Sequence, residues 1–385
     1  MPMLGLGYLA AIAKKNGHDV VFLDCKKERF NYRDFEMYIK TNHFDLIGFQ
    51  VFTYDLNSVK RHIEIIRKYD KKALIIAGGA HPSGDPVGSL RYLNDIDFVF
   101  KGEAEAGFGK LLNNLASLGS EGLKKDYDVL KCIPGLAFKD PCGKIVMNEP
   151  FYLEDLDSLD FPAWELMDPR DYPEAPHGAF ARKFPAAPII ITRGCPHFCT
   201  FCAGKAITGP KVRKRSIDNV WAETKYLMER FGVKELLIED ENFTLHKNLL
   251  REFCLKIINS NKKISWSFPS GVRLETLNRD NVRLMEEAGC YSMALGIEFG
   301  SQRIHDLTKK RLNIDLIRDK VDLLSKTRIK TTGFFLFGIP GETREDMLAT
   351  IKLSLKLGID RAQFNNFMPL LGSELWEYLV KNNKL

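Results

Sequence analysis

The run Arg193-Gly194-Cys195-Pro196-His197-Phe198-Cys199-Thr200-Phe201-Cys202 gathers three of the chain's eight cysteines into one short stretch. It follows directly on Ile189 to Arg193, an apolar run that reads as a β-strand. The cysteines therefore sit on the loop at a strand's C-terminal end, where sites collect in parallel α/β folds. Thiolates separated by three and then two residues can grip one face of an iron–sulfur cube and leave the fourth iron without a protein ligand. Zinc is the competing metal. It would want a fourth ligand such as His197 and usually a second cysteine pair, and the spacing provides neither. The remaining cysteines, Cys25, Cys132, Cys142, Cys254 and Cys290, are scattered singly, so a secreted disulfide framework is disfavoured.

Downstream of this run, apolar strands alternate with helix-period segments. Expected strands are Glu235 to Asp240, Ile264 to Ser270, Ser292 to Phe299, Thr331 to Gly338 and Ala362 to Met368. Ser216 is the expected N-cap of a helix whose apolar face is Val220, Thr224, Leu227, Met228 and Phe231 and which Gly232 ends. With the strand before the cysteines this makes six β/α units, hence a parallel sheet with right-handed crossovers, open or curved into a partial barrel. Upstream, a helix from Leu4 to Asn16 is followed by expected strands at Val20 to Leu23, Asp45 to Phe52, Ala73 to Gly79 and Asp97 to Gly102. These runs read as a doubly wound parallel sheet covered on both faces. Such a sheet ordinarily opens on a strand, whereas this sequence opens on a helix, so its first strand is expected to be missing from the numbered N-terminus. Gly135 to Phe138 and Lys144 to Met147, joined by Asp140-Pro141-Cys142-Gly143, read as a hairpin. Prolines at 162, 169 and 173 then mark an extended linker. The expected division is residues 1–117, a connector over 118–187, and 188–385.

The 385 residues are 45% hydrophobic, enough for large cores, and a net charge of +6 is too weak for a nucleic-acid footprint. The basic segment Lys211-Val212-Arg213-Lys214-Arg215 is short and interrupted, and reads as a solvated face or a helper for a negative cluster and cofactor. Neither a long apolar window nor a signal-peptide pattern is present, and a cytoplasmic location without membrane contact is expected.

The spacing of Cys195, Cys199 and Cys202, with Phe201 as the aromatic before the last, resembles the cluster motif of the radical S-adenosylmethionine superfamily. That resemblance implies a partial (β/α)6 barrel, a [4Fe-4S] cluster whose open iron binds S-adenosylmethionine, and release of a 5′-deoxyadenosyl radical on reduction. It also implies positions for the cofactor at the strand ends. These are Glu239 and Asp240 after strand two, Ser270 and Arg273 after strand three, Glu298 at strand four, and Gly338 and Pro340 after strand five. A literal glycine-glycine-glutamate motif is absent.

Leu4 to Ala10, the loop after Phe49 to Phe52, Gly78-Gly79-Ala80-His81-Pro82 and Gly102-Glu103-Ala104-Glu105 resemble the cobalamin-binding domain of the cobalamin-dependent radical enzymes, the class B methyltransferase-like group. Leu156 to Trp164 resembles the lead-in to their barrel. The resemblance implies that backbone at Gly78 and Gly79 lies close to a corrin. Gly79 stands where the better-known motif has the aspartate before its cobalt-ligating histidine, so His81 is not expected to ligate cobalt. The implied activity is methylation of an unactivated carbon or phosphorus centre in a small-molecule or natural-product substrate, with an electron donor such as flavodoxin or ferredoxin. Rearrangement or oxidative cyclisation with the same cofactors, and a tRNA methylthiotransferase-like reaction, are the alternatives.

Overall fold

The computed structural model describes residues 1–174, 181–260 and 262–385; the expected connector over 118–187 therefore lies partly outside the described residues. The first half builds a five-stranded sheet in the order β1 (Leu46–Gln50), β2 (Leu74–Gly78), β3 (Phe98–Phe100), β4 (Leu136–Lys139), β5 (Ile145–Met147). The first three strands are parallel, and the hairpin β4–β5 adds to β3 antiparallel. The hairpin thus completes the first sheet and is not an independent connector. Asp140 makes its turn by accepting hydrogen bonds from the backbone of Cys142 and Lys144.

Seven helices flank this sheet: α1 (Leu4–Lys15), α2 (Tyr32–Thr41), α3 (Leu56–Tyr69), α4 (Ala80–Gly84), α5 (Pro86–Tyr92), α6 (Glu105–Lys125, bent at Gly119) and α7 (Tyr127–Lys131). Successive residues of a strand face opposite ways, and β2 uses both. Leu74 and Ile76 enter a core with Ala13 of α1 and Phe108 and Leu111 of α6, while Ile75 and Ala77 enter one with Val59 and Ile63 of α3 and Leu90 of α5. That two-sided burial is why these strands read as unbroken apolar runs. One expectation fails. Val20 to Leu23 forms no strand: it pairs with no strand of either sheet, and β1, at the sheet's edge, pairs only with β2.

The second half is a six-stranded parallel sheet in which sequence neighbours are spatial neighbours: β6 (Ala186–Ile189), β9 (Glu235–Ile238), β10 (Ser265–Val272), β11 (Cys290–Glu298), β12 (Lys330–Phe337) and β13 (Arg361–Asn366). A separate small ladder, β7 (Thr192–Arg193) with antiparallel β8 (Arg213–Lys214), follows β6. The expected first strand, Ile189 to Arg193, is thereby divided: the sheet strand ends at Ile189 and the next two-residue strand leaves to flank the cysteines. Between the strands run α8 (Gly204–Thr208), α9 (Ile217–Phe231), α10 (Lys247–Asn259), α11 (Arg279–Glu287), α12 (Gln302–Leu307), α13 (Ile314–Ser325) and α14 (Arg344–Lys356), with α15 (Glu374–Lys381) last. Ser216 caps α9 by accepting from Asn219 N, and Gly232 ends it in the left-handed conformation at φ 67°. Leu227, Phe231, Leu250, Phe253, Met285, Val321 and Leu353 bury the helices' apolar stripes against the strands.

The two halves are in intimate contact. Ala163 N donates to Gly7 O, and a Cβ at Gly7 would collide with Met167 and Pro162, so only glycine lets α1 seat against the linker. Gly372 lies so close to Gly84 of α4 and Ala206 of α8 that a Cβ there would come within about 3 Å of both. Here α4, from the first sheet, meets the helix that follows the cysteines.

Candidate radical and corrin site

Cys195, Cys199 and Cys202 lie on the segment between β7 and α8, and none is in a disulfide. The loop is fixed by its backbone. Cys195 N donates to Gly209 O, Thr200 N to Thr308 O, and Leu375 N to Thr200 O. Burial pushes the thiols of Cys195 and Cys202 up, and the neighbouring cysteine thiolates push the same way. No group of three or more His, Cys, Asp or Glu side chains is already arranged to hold a metal ion among the described residues. Three thiolates repel one another, and cationic iron is what offsets that repulsion, so the donor set suits a cluster bound by thiolate chemistry.

The side chains after strands two to four converge on this loop. Arg273, 8% exposed, spans it: Nη1 lies 3.5 Å from Cys199 Sγ, Nη2 donates to Lys310 O at 2.9 Å and Nε to Glu275 at 2.5 Å. Lys310, itself buried, pairs with Glu298 at 3.1 Å. Lys309 (φ 55°), Arg311 (φ 53°) and Glu298 (φ 68°) are three of the five described non-glycine residues at positive φ. Such backbone costs about 1–3 kcal/mol per residue and persists where surroundings enforce it. The strain surrounds the Lys310–Glu298 pair from both sides.

Glu239 accepts a hydrogen bond from the exposed Ser270 hydroxyl, and burial raises its carboxyl above the usual range. Phe201 packs edge-on against Phe299 at 6.0 Å and shares an apolar cluster with Ile304 and Ile339, which makes it an anchor for the loop. Gly338 is exposed at φ 88° and donates its N–H to Glu342, while Pro340 is half-buried beside Ile339.

Asp240, expected near the cofactor, bonds in this structure to the residues leading into the cysteine loop. Its Oδ1 accepts from Ile191 N at 2.8 Å and its Oδ2 from both Thr192 N and Thr192 Oγ1 at 2.6 Å. Two of these bonds come from the backbone leading into the cysteine loop and the third from the Thr192 hydroxyl. Glu241 continues the strap, accepting from Gly194 N and Thr208 Oγ1 on either side of the cysteines.

The basic segment 211–215 is also corrected. Lys211 and Lys214 are exposed, but Arg213 and Arg215 are only 3% and 4% exposed, because alternate residues of this short strand point inward. Arg213 forks onto Glu103 at 2.6 and 2.7 Å and donates to Thr208 O and Leu153 O. Arg193 pairs with Glu105 at 2.7 Å, lies 3.6 Å from Glu103 and stacks over Tyr8. Arg215 pairs with Glu223, which also accepts from Trp164 Nε1.

On the first sheet, Gly79 (φ 106°) turns the chain sharply after β2, and its missing Cβ is faced at 3.0–3.3 Å by Val51 backbone and Gln50. The turn itself therefore demands glycine here, and a Cβ at Gly78 would meet only Phe100 at 3.7 Å. His81, 7% exposed, has Nδ1 3.2 Å from Thr53 Oγ1. The buried Oε1 of Gln50, at the same end of β1, has no partner, an acceptor free for a ligand such as a corrin amide.

Buried polar atoms without partners are costly and few in native proteins. Here several sit at the cysteine loop or next to residues that strap it: His197 Nε2 and Thr200 Oγ1 on the loop, both Asn242 side-chain atoms, and Nδ1 of His305, whose backbone holds Lys310. Asn242 is 1% exposed. Lys310, Thr200 and His305 carried no readable signal in the sequence, because the strained turn that gathers them has no motif.

Residues 189–354 match the Radical SAM superfamily model and residues 1–112 the B12 binding domain model. An uncharacterised methyltransferase of Pyrococcus horikoshii is 33% identical over 386 residues, spanning 100% of this chain and 80% of the relative. The chain belongs to the cobalamin-binding radical S-adenosylmethionine enzymes. A second relative, the cytidylyl-2-hydroxyethylphosphonate methyltransferase of Streptomyces wedmorensis, is 27% identical across 98% of this chain and 78% of its own length. Among solved structures, the radical S-adenosylmethionine methyltransferase TsrM from Kitasatospora setae, with cobalamin and a [4Fe-4S] cluster bound, superposes with a TM-score of 0.78 over 99% of this chain and 72% of that one. At 18% identity that likeness is one of fold. Among the described residues no helix is long and apolar enough to cross a membrane.

Proposed function

We propose that this family member is a methyltransferase, acting through radical chemistry on an unactivated carbon or phosphorus centre of a small-molecule substrate. The observation that carries the reading is the set of partnerless buried polar atoms around a three-thiol loop, at a place where α4 of the first sheet meets α8. Two relatives that carry methyltransferase names, one uncharacterised and one named for a cytidylyl-2-hydroxyethylphosphonate, support it. When bound, the cluster, S-adenosylmethionine and corrin supply reductive radical formation and a transferable methyl group.

The chain's own residues do the holding. Cys195, Cys199 and Cys202 would bind the cluster. Arg273 sets a fixed positive charge beside Cys199, and Glu239 with Ser270 offers an acceptor and a hydroxyl where the ammonium and ribose of S-adenosylmethionine would be met. Glu298 is restrained by Lys310, so a carboxylate at that strand end is presented in one orientation. Gly338 leaves open space for a ring to approach the backbone. Holding two reactive partners against one substrate is itself a large part of catalysis.

The test uses S-adenosylmethionine labelled in its methyl group. With the correct substrate, S-adenosylhomocysteine and 5′-deoxyadenosine are expected in near-equal amounts, with label in the product. Deoxyadenosine without transferred label would assign the chain to rearrangement or cyclisation instead. For the corrin, His81→Ala is expected to keep cobalamin affinity within about tenfold, roughly 1.4 kcal/mol, because the side chain is turned to Thr53. Loss of binding with a changed cobalt spectrum would make His81 a ligand.

A further inference from the structure

We propose that the buried Glu103–Arg213 bridge is a positioning element that sets the register between the corrin loops and the cysteine loop. The inference rests on the cofactor reading above.

The contacts form one continuous line. Gly79 O accepts from Ser83 Oγ at 2.7 Å, and Ser83 Oγ in turn accepts from Gly102 N at 3.0 Å. The next residue is Glu103. Its carboxylate takes the Arg213 fork at 2.6 and 2.7 Å and lies 3.6 Å from Arg193 Nη1. Arg193 is two residues before Cys195, and Arg213 Nη2 also holds Thr208 O, at the end of the helix that follows Cys202. One carboxylate from the first sheet thus pins both flanks of the cysteine loop.

The chemistry argues for register and against simple cohesion. The Arg213 and Glu103 side chains are 1% and 5% exposed, and buried ion pairs are generally no more stabilising than apolar residues of the same volume. Their best-attested use is to fix one arrangement among several. A guanidinium forked on a carboxylate is directional in a way an apolar contact is not. Two reaction partners on separate sheets need such direction, since productive sites tolerate displacements of only about 0.5 Å.

The experiment uses the full chain, reconstituted anaerobically with iron, sulfide and hydroxocobalamin. The cob(II)alamin electron paramagnetic resonance signal is power-saturated with the cluster oxidised and then reduced, because relaxation by the reduced cluster depends steeply on separation. Wild type is expected to relax faster when the cluster is reduced. Glu103→Gln, with wild-type iron and corrin contents, is expected to lose at least half of that enhancement. Glu103→Asp, which keeps the charge and shortens the arm, gives the same loss if Glu103→Gln fails to fold. Full enhancement in a folded variant, whatever its melting temperature, overturns the proposal and leaves the bridge a structural contact. A wild type that binds both cofactors and shows no enhancement overturns it too, and a wild type that binds only one contradicts the cofactor reading beneath it.

Discussion

Cys199→Ala protein is expected to form no 5′-deoxyadenosine above background after anaerobic reconstitution and to retain less iron than wild type. The loss comes from the thiolate alone. The backbone around it is held independently, by Thr200 N on Thr308 O and by Leu375 N on Thr200 O, so alanine leaves the loop in place while removing one of the three corners of the cluster. Circular dichroism of the variant should match wild type. Unchanged iron content together with an unchanged cleavage rate would refute the assignment of these cysteines.

The second large effect is expected at Asp240. Alanine there orphans the buried N–H groups of Ile191 and Thr192, at about 1–3 kcal/mol each, so on the order of 4 kcal/mol of stability should be lost. Because the strap lies under Thr192-Arg193-Gly194, iron retention should fall with it. Burial pushes this carboxyl from 3.8 up to about 7, against hydrogen bonds that favour the charged form. The folded chain therefore binds this proton more tightly than the unfolded chain does. The group favours folding most below its unfolded value, and that contribution is lost as the pH rises through about 7. Asp240→Asn carries no proton to lose, so its urea midpoint should fall less steeply than that of wild type between about pH 4 and 7. Parallel pH profiles for the two proteins would contradict this account of Asp240.

The second sheet was legible because its strands, β6 and β9 above all, are buried along their whole length and read as apolar runs between helix signals, whereas the edge strand β13 is exposed throughout. Ser216 and Gly232, which cap α9, were legible because capping depends on residues next to one another in the chain. What was not legible depends on direction or on distance along the chain. Glu239 and Asp240 are adjacent carboxylates, and sequence does not say which one of an alternating pair faces the mouth and which faces the neighbouring backbone. Arg213 and Arg215 look like a solvated basic run until Glu103, 110 residues away from Arg213, is seen to bury against it. Val20 to Leu23 has every local mark of a strand and lacks only a neighbour. The strained turn at Lys309 and Arg311 is invisible in composition, since neither residue type favours positive φ.

The most direct test of the account is cofactor co-occupancy of a single chain. Protein reconstituted anaerobically with iron, sulfide and hydroxocobalamin, then passed through gel filtration, is predicted to carry about four irons and about one corrin per chain, the content of one cubane cluster beside one cobalamin. Iron retained without corrin, or corrin without iron, would contradict it.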